Sequence, residues 1–262
     1  MNQHPIGIFD SGVGGTSIWR ELHKLLPSED TIYLADSKNA PYGEKSGSEI
    51  INLSKKNVDW LLERDCKMII VACNTATTNA IAYLRSHYPV PFIGIEPAIK
   101  PAALHSATGK VGVLATSGTL ASQLFLTTSK THAEDILILE QVGEGLVRLI
   151  EQGKIDSSEM RLLLQKYLEP MINAGIDQLV LGCTHYPYLI PLLKELLPHE
   201  VKIVDCGEAV ARQAFNVMDE QGLLSDSSQQ GKYCFYTNTD TAVLQQFLSD
   251  GDRAHQIEYR DF

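Results

Sequence analysis

Short apolar segments alternate with longer amphipathic segments along most of this chain of 262 residues. The apolar segments are rich in Val, Ile and Leu, which is typical of strands buried on both faces of a sheet. They read IGIF, TIYLA, KMIIVA, PFIGI, KVGVLA, ILILE, QLVLG and KIVD. Between most of them, apolar residues recur at near-helical spacing, as at Ile50, Leu53, Val58, Leu61 and Leu62. This alternation predicts βαβ units and an α/β fold with mostly parallel sheets.

The strand–helix pattern repeats loosely in two parts of the chain. Residues 1–94 and residues 95–207 each contain a similar series of strand–helix steps, and each series includes a strand that ends in a cysteine. Pro97 and Pro101 flank a new helix start near the boundary. We therefore expect two similar, open, mostly parallel α/β domains that face each other across an active site. The periodicity leaves open which domain holds the segment after Asp205.

Composition and charge narrow the class of protein. The chain is 44% hydrophobic and 21% charged, which is typical of a folded globular protein rather than a disordered one. Its formal net charge is −10 without a basic run, so nucleic acid is not an expected partner. No apolar run approaches the ~20 residues of a membrane span, and the N-terminus lacks the pattern of a signal peptide. Five cysteines without a CxxC pair predict free thiols in a cytoplasmic protein.

Two of the cysteines stand where an apolar segment gives way to polar residues. VACNTATT contains Cys73, and VLGCTHYP contains Cys183. Because ligands of open parallel sheets collect beyond the carboxyl ends of the strands, we expect both thiols to face one crevice. Helix N-terminal amides at this position are expected to lower the pKa of a thiol. A small buried apolar side chain is the alternative role of a free cysteine, which we favour for Cys66 and Cys234 and leave open for Cys206.

Several kinds of cysteine site can be compared with this pattern. A hydrolase with a Cys73–His185 pair would leave Cys183 without a role. The phosphate-binding loop of a tyrosine phosphatase would need an arginine where Asn79 stands. A zinc site that adds Cys206 to these residues would lack the closely spaced ligand pairs of structural zinc. No metal is therefore expected.

Two similarly placed thiols fit a different task, which is proton transfer on opposite faces of one carbon. One group removes a proton and the other supplies one, as inversion of a stereocentre requires. The polar residues Asn74, Thr75, Thr184 and His185 follow the two cysteines and suit a carboxylate or phosphate ligand. The alternative from another class is a binding protein whose two halves close on a dicarboxylate, because the fold by itself implies no chemistry.

Two further segments place polar groups at strand ends. In IFDSGVGG, Asp10 and Ser11 precede glycines that could form an anion cradle or simply a tight turn. The segment nearly matches a dinucleotide-binding fingerprint, but Ser17 stands where its third glycine is expected. In ADSKNAPYGEKS, Tyr42 and Gly43 lie in a polar loop that could be an ordinary surface loop or a wall of the site.

Taken together, the motifs FDSGVGG, APYGEK, VACNTAT, GIEPA, VLATSGTLAS and LGCTHYP resemble those of the bacterial glutamate racemases. The resemblance runs in order from residue 6 to about residue 210. It implies an isomerase that interconverts L- and D-glutamate, its small-molecule substrate, without a cofactor and supplies D-glutamate for peptidoglycan. No lysine stands in a motif suited to pyridoxal chemistry. A homodimer is compatible with the sequence, which carries no signal for the oligomeric state.

The resemblance also implies roles for individual residues. Cys73 and Cys183 would be the two catalytic acid–base groups, assisted by Asp10 and His185 respectively. The substrate would be held by residues that follow strand ends, namely Asp10, Ser11, Tyr42, Gly43, Asn74, Thr75, Thr184 and His185. Thr116 and Thr119 would lie near a substrate carboxylate, and the match of Glu151 to a further helper glutamate is weak.

Domain boundaries follow from the same resemblance. The first domain would comprise residues 1–94 and 208–262 and carry Cys73. The second would comprise residues 95–207 and carry Cys183. The C-terminal segment would thus return to the first domain. Cys206 stands where the family suggests a serine, outside the motifs themselves.

Overall fold

Two parallel sheets organise the chain in this computed structural model, which describes residues 4–132, 136–249 and 255–262. The strands are β1 (Ile6–Asp10), β2 (Thr31–Ala35), β3 (Met68–Val71), β4 (Phe92–Gly94), β5 (Lys110–Ala115), β6 (Leu137–Val142), β7 (Gln178–Gly182), β8 (Lys202–Val204), β9 (Tyr233–Thr237) and β10 (Gln256–Tyr259). One sheet has the order β10-β9-β2-β1-β3-β4 and the other the order β6-β5-β7-β8. All these strand pairs are parallel, which confirms the predicted α/β class.

Helices connect the strands, as parallel pairing requires. They are α1 (Thr16–Leu25), α2 (Gly47–Leu62), α3 (Asn74–His87), α4 (Ile99–His105), α5 (Ser117–Leu120), α6 (Gln123–His132), α7 (Leu146–Glu151), α8 (Ser158–Ala174), α9 (Ile190–Leu196), α10 (Gly207–Glu220) and α11 (Thr241–Leu248). Short 3-10 turns occur at Ser37–Asn39, Tyr42–Glu44 and Tyr186–Leu189. Within the described ranges, no helix has both the length and the apolar character needed to cross a membrane.

The C-terminal segment adds two strands that the apolar pattern did not predict. β9 pairs with β2, and β10 continues the same sheet outward. They read YCFYT and QIEY, so they lack the run of Val, Ile and Leu that marked the eight predicted strands. The segment after α10 therefore returns to the first sheet. The boundaries at residues 94 and 207 stay a prediction.

The sheets are held together by a shared apolar core. The largest buried cluster includes Ile8 and Tyr33 from the first sheet and Leu179 and Leu181 from the second. Burying each such side chain contributes about 1.5–3 kcal/mol. Because the cluster is continuous across both sheets, the packing that stabilises the fold also sets the distance between their carboxyl ends.

A buried ion pair lies at the opposite, amino ends of the strands. Lys67 precedes β3 and Glu29 precedes β2, and their side chains are each only 2% exposed. The Lys67 Nζ atom lies 2.6 Å from Glu29 Oε2, and Glu29 Oε1 accepts a hydrogen bond from the backbone N–H of Ser225. The pair thus connects the C-terminal segment to the base of the first sheet.

The other cysteines have different environments. Cys66 is buried as expected, and burial raises its pKa to about 12. The interpretation of Cys234 as a buried side chain is wrong, because this residue lies half-buried on β9. Cys206 is also half-buried and immediately precedes α10.

Candidate active site

Cys73 and Cys183 line one crevice between the carboxyl ends of the two sheets. Cys73 follows β3 and Cys183 follows β7, and both are buried. The crevice leaves about 10 Å³ of free volume, which is room for about one water molecule. It is lined by Ser11, Pro41, Tyr42, Gly43, Cys73, Asn74, Thr75, Thr116, Val147, Cys183, Thr184 and His185. The structure therefore brings together all the predicted site residues except Asp10, which lies behind Ser11.

On the first sheet, Cys73 caps the helix that follows it. Its Sγ accepts a hydrogen bond from the N–H of Ala76 at 3.4 Å and donates to Ser11 Oγ at 3.6 Å. Ser11 in turn donates to Asp10 Oδ1 at 3.4 Å. The Asp10 carboxylate also accepts from the N–H of Gly15 at 2.7 Å and from Thr184 Oγ1 at 3.5 Å. This chain of contacts connects the Cys73 thiol to a buried carboxylate.

Burial controls the protonation of this side of the crevice. It raises the pKa of Cys73 well above its usual value, and the nearby Asp10 carboxylate raises it further. The helix amide of Ala76 lowers this pKa as expected, but burial and Asp10 outweigh it, so the net direction is upward. Burial also raises the pKa of Asp10 to about 6, opposed by the charge of His185 and the Gly15 hydrogen bond.

On the second sheet, Cys183 is paired with a histidine. Cys183 Sγ lies 3.6 Å from Nδ1 of His185, and the other ring nitrogen, Nε2, lies 2.6 Å from Oε1 of Glu151. Burial lowers the pKa of His185, but the hydrogen bonds and charges of Cys183 and Glu151 outweigh it and hold the pKa well above its usual value. The geometry favours a charged imidazolium between a thiol group and a carboxylate.

Glu151 contacts His185 and two loops beside the crevice, and the sequence indicated it only weakly. It lies at the end of α7, and its Oε1 accepts from the N–H of Val13 at 2.7 Å while its Oε2 accepts from Ser37 Oγ at 2.8 Å. These contacts cross from the second sheet to loops of the first. Glu151 ends a helix rather than following a strand, so no strand-end motif marked it.

The glycine loop after β1 is occupied by groups of the protein itself. Its amides at Val13 and Gly15 bind the carboxylates of Glu151 and Asp10. A Cβ atom added at Gly12 would lie 2.0 Å from Glu151 Oε1, and one at Gly14 would lie 2.3 Å from His185 Nδ1. The loop is thus an anion cradle, but its anions are side chains, and its glycines allow the second domain to approach closely.

Polar groups able to hold a ligand lie beside Cys73. Asn74 is 2% exposed, and neither polar atom of its side chain has a hydrogen-bond partner among the described residues. Thr75 Oγ1 lies 2.8 Å from Thr116 Oγ1, which lies 2.9 Å from Thr119 Oγ1. Because buried amides normally find partners, the Asn74 side chain indicates a position for a polar ligand.

The loop after β2 forms one wall of the crevice. Tyr42 is buried, and its hydroxyl donates to Asp36 rather than into the crevice. The carbonyl of Gly43 accepts from Ser117 Oγ at 2.9 Å, and a Cβ atom at Gly43 would lie 3.0 Å from Thr116 Cβ. The loop is therefore a wall of the site, in contact with both domains.

Within the described ranges, no group of three or more His, Cys, Asp and Glu side chains is arranged to hold a metal ion. The expectation of a site without metal or cofactor stays a prediction.

Comparison with known proteins gives a consistent result. The family model for Asp/Glu/Hydantoin racemase matches residues 6–214. A curated glutamate racemase of Herpetosiphon aurantiacus is 46% identical over 242 residues, covering 92% of this chain and 95% of the relative. A second, from Pseudomonas aeruginosa, is 45% identical over 244 residues, covering 93% and 92%.

Solved structures agree in fold over the whole chain. Glutamate racemase isoform RacE1 of Bacillus anthracis superposes with a TM-score of 0.89 at 28% identity, covering 100% of this chain and 98% of the other. The Escherichia coli glutamate racemase, described in complex with L-glutamate and the activator UDP-MurNAc-ala, gives a TM-score of 0.85 at 32% identity and covers 98% of both chains.

Proposed function

Because the chain belongs to the Asp/Glu/Hydantoin racemase family, we propose that it is a glutamate racemase that interconverts L- and D-glutamate by two-base proton transfer at Cα. The names of its relatives support glutamate over other amino acids. The D-glutamate formed would be supplied to peptidoglycan synthesis.

The observation that carries this proposal is the placement of two thiols, from two sheets, in one crevice. In one direction, the Cys183 thiolate removes the α-proton of L-glutamate, and the Cys73 thiol donates its proton to the opposite face of the carbanion. The products are D-glutamate, the Cys183 thiol and the Cys73 thiolate. The reverse reaction uses the same steps in the opposite order. Net consumption of protons is zero.

Each thiol has its own charged neighbours for this task. Next to Cys183, Nδ1 of His185 lies 3.6 Å from the sulfur, and Glu151 holds the other ring nitrogen at 2.6 Å. Next to Cys73, burial and Asp10 favour the neutral thiol. We infer that the ammonium group of the substrate offsets the Asp10 carboxylate when it binds, and that this makes a thiolate at Cys73 accessible in the reverse direction.

The substrate carboxylates require oriented donors. The free amide of Asn74 and the hydroxyls of Thr75, Thr116 and Thr184 lie on the walls of the crevice. Each pKa unit of mismatch between the α-carbon acid and its base costs about 1.36 kcal/mol, so these donors must stabilise the negative charge that develops in the transition state.

The crevice must open for this reaction. Its free volume of about 10 Å³ holds about one water molecule, far less than an amino acid. We infer that the described structure is the closed form, in which water is excluded from the thiols. Entry and release then require the two domains to separate.

Deuterium exchange from single enantiomers in deuterated water tests the proposal. Wild type should exchange the α-proton of both enantiomers and racemise them. Cys73→Ser should lose exchange from D-glutamate more strongly than from L-glutamate, and Cys183→Ser should show the reverse, because a serine hydroxyl is a far weaker acid than a thiol.

Cys234→Ser is the matched control, because this cysteine lies on β9, outside the residues that line the crevice. It should retain wild-type exchange of both enantiomers. Equal losses on both enantiomers in the two active-site variants would contradict the two-base scheme. Comparable kcat/KM for aspartate and glutamate would contradict the proposed substrate.

A further inference from the structure

Asn238 lies outside the segment that matches the family model, yet it contacts a wall of the active site. It follows β9, which pairs with β2 so that Thr237 lies opposite Ala35. This register places Asn238 beside Asp36, the first residue of the loop 36–44 after β2. That loop includes Gly43, which lines the crevice.

The side chain of Asn238 makes two hydrogen bonds to this loop. Its Oδ1 accepts from the backbone N–H of Lys38 at 2.9 Å, and its Nδ2 donates to Asp36 Oδ1 at 2.6 Å. The residue is only 5% exposed. An amide offers a donor and an acceptor on one rigid plane, so it can bind a carboxylate and an N–H at the same time.

Asp36 connects Asn238 to the part of the loop that lines the crevice. Its Oδ1 also accepts from Asn39 Nδ2 at 2.8 Å, and its Oδ2 accepts from the Tyr42 hydroxyl at 2.5 Å. Gly43 comes directly after Tyr42 and receives the cross-domain hydrogen bond from Ser117. The loop is thus folded around one buried carboxylate, and Asn238 is a buried contact of that carboxylate with the C-terminal segment.

We propose that Asn238 is a positioning residue, which holds the loop 36–44 against the crevice through Asp36 and thereby sets the affinity for the substrate. The kinetic part of this inference rests on the proposed racemase function. The structural part does not, because it concerns the loop in the absence of substrate.

Two variants test the proposal. Asn238→Ala removes both hydrogen bonds and should make the amides of the loop 36–44 exchange with deuterium at least about tenfold faster, without substrate. In a racemase assay it should raise KM for glutamate about tenfold, since one hydrogen bond to the Asp36 carboxylate and one from the Lys38 N–H are lost, while kcat changes less than about threefold.

Asn238→Asp adds a pH signature that a loss of general stability would not produce. Two adjacent carboxylates at positions 36 and 238 must share a proton, which restores the donor at low pH. The other charged or titratable groups facing Asp36 are Tyr42 and Lys56, and the Lys38 ammonium lies 3.8 Å from Asp261. The KM ratio of this variant to wild type should therefore rise from about pH 6 to about pH 9.

Matched variants complete the test. Gln245→Glu adds the same charge on the exposed face of α11 and should behave as wild type. In the double variant Asp36→Asn with Asn238→Asp, the side chain at position 36 becomes the donor and the one at position 238 the acceptor, and the total charge equals that of wild type. This variant should have a lower KM than Asn238→Asp alone.

The proposal is overturned if loop exchange in Asn238→Ala equals that of wild type. It is also overturned if the KM of Asn238→Asp equals that of Gln245→Glu at every pH. A third contrary result is a KM of Asn238→Asp that exceeds the wild-type KM by the same factor at every pH and that the added Asp36→Asn does not lower. If wild type and Gln245→Glu do not racemise glutamate, the proposed function fails, while the exchange measurement still decides the role of Asn238.

Discussion

Single residues in the crevice show where stability and function oppose each other. Asn74 is buried with a free amide, and Asp10 is a buried carboxylate whose pKa is raised to about 6. Both arrangements cost folding free energy when no ligand is present. Each therefore predicts that a substitution can weaken activity without weakening the fold.

Asn74→Ala should leave the free energy of unfolding equal to or greater than that of wild type, because it removes a buried amide that has no partner. The same change should lower kcat/KM for glutamate by about 10- to 100-fold, since a donor to the substrate is lost. Thermal unfolding and steady-state kinetics measure the two effects. A collapsed fold on circular dichroism would show that Asn74 is needed for packing instead.

Asp10→Asn should change how stability depends on pH. Between the ordinary pKa of 3.8 and the folded value of about 6, the folded protein binds a proton that the unfolded chain releases. The free energy of unfolding of wild type therefore falls as pH rises through this window. The Asp10→Asn variant has no titrating group at this position, so its free energy of unfolding does not fall for this reason. From about pH 4 to about pH 7, the variant should gain about 2 kcal/mol relative to wild type.

Urea unfolding at several pH values measures this difference. Asp156→Asn, at an exposed position, is the matched control and should follow wild type. Parallel stability curves for Asp10→Asn and wild type would show that burial does not raise the pKa of Asp10.

At the level of elements, side-chain contacts at both ends of the strands connect segments that are distant in sequence. At the carboxyl ends, α7 reaches the loops after β1 and β2 through Glu151. At the amino ends, the Lys67–Glu29 pair joins β3, β2 and the segment around Ser225. The first group of contacts shapes the active site, whereas the second lies far from it.

Lys67→Met should therefore lower stability without changing the site. It leaves the Glu29 carboxylate buried without its ion-pair partner, which costs about 3–5 kcal/mol. Glu29→Gln added to Lys67→Met removes that charge, keeps an acceptor for Ser225, and should recover most of the loss.

Arg212→Met is the comparison, because Arg212 forms an exposed ion pair with Glu208 one turn away and should contribute less than about 1 kcal/mol. Urea unfolding of the three variants measures the effect. A loss for Lys67→Met as small as that for Arg212→Met would mean that the buried pair is dispensable.

At the scale of the whole molecule, two parallel sheets meet at their carboxyl ends over a closed crevice. The arrangement places one thiol from each sheet on the same crevice, which leaves about 10 Å³ of free volume. The residues that line the crevice include no lysine. A pyridoxal cofactor is held by a lysine Schiff base in the enzymes that use it.

We therefore expect racemase activity to survive exhaustive dialysis against EDTA and treatment with borohydride, which reduces pyridoxal imines. A pyridoxal-dependent racemase treated in parallel should lose its activity. Loss of activity that only pyridoxal phosphate or a metal restores would overturn this expectation.

Much of the fold and site could be predicted from local sequence. Runs of Val, Ile and Leu marked β1 to β8, including β6 and β8, which are only partly buried. Polar residues directly after two of these strands marked Cys73 and Cys183. The family resemblance inferred from these motifs is confirmed by the comparisons. β9 and β10 were missed because they read YCFYT and QIEY and so lack such a run.

The sequence by itself thus determined the alternation of strands and helices and the chemistry at the strand ends, because both depend on neighbouring residues. Only the tertiary structure decided that Glu151, 138 residues from Val13, binds the glycine loop, and that Asn238 contacts the loop after β2. It also decided that Cys73 has a raised rather than a lowered pKa. Burial and long-range contacts arise only when distant segments pack together, so no local pattern carries them.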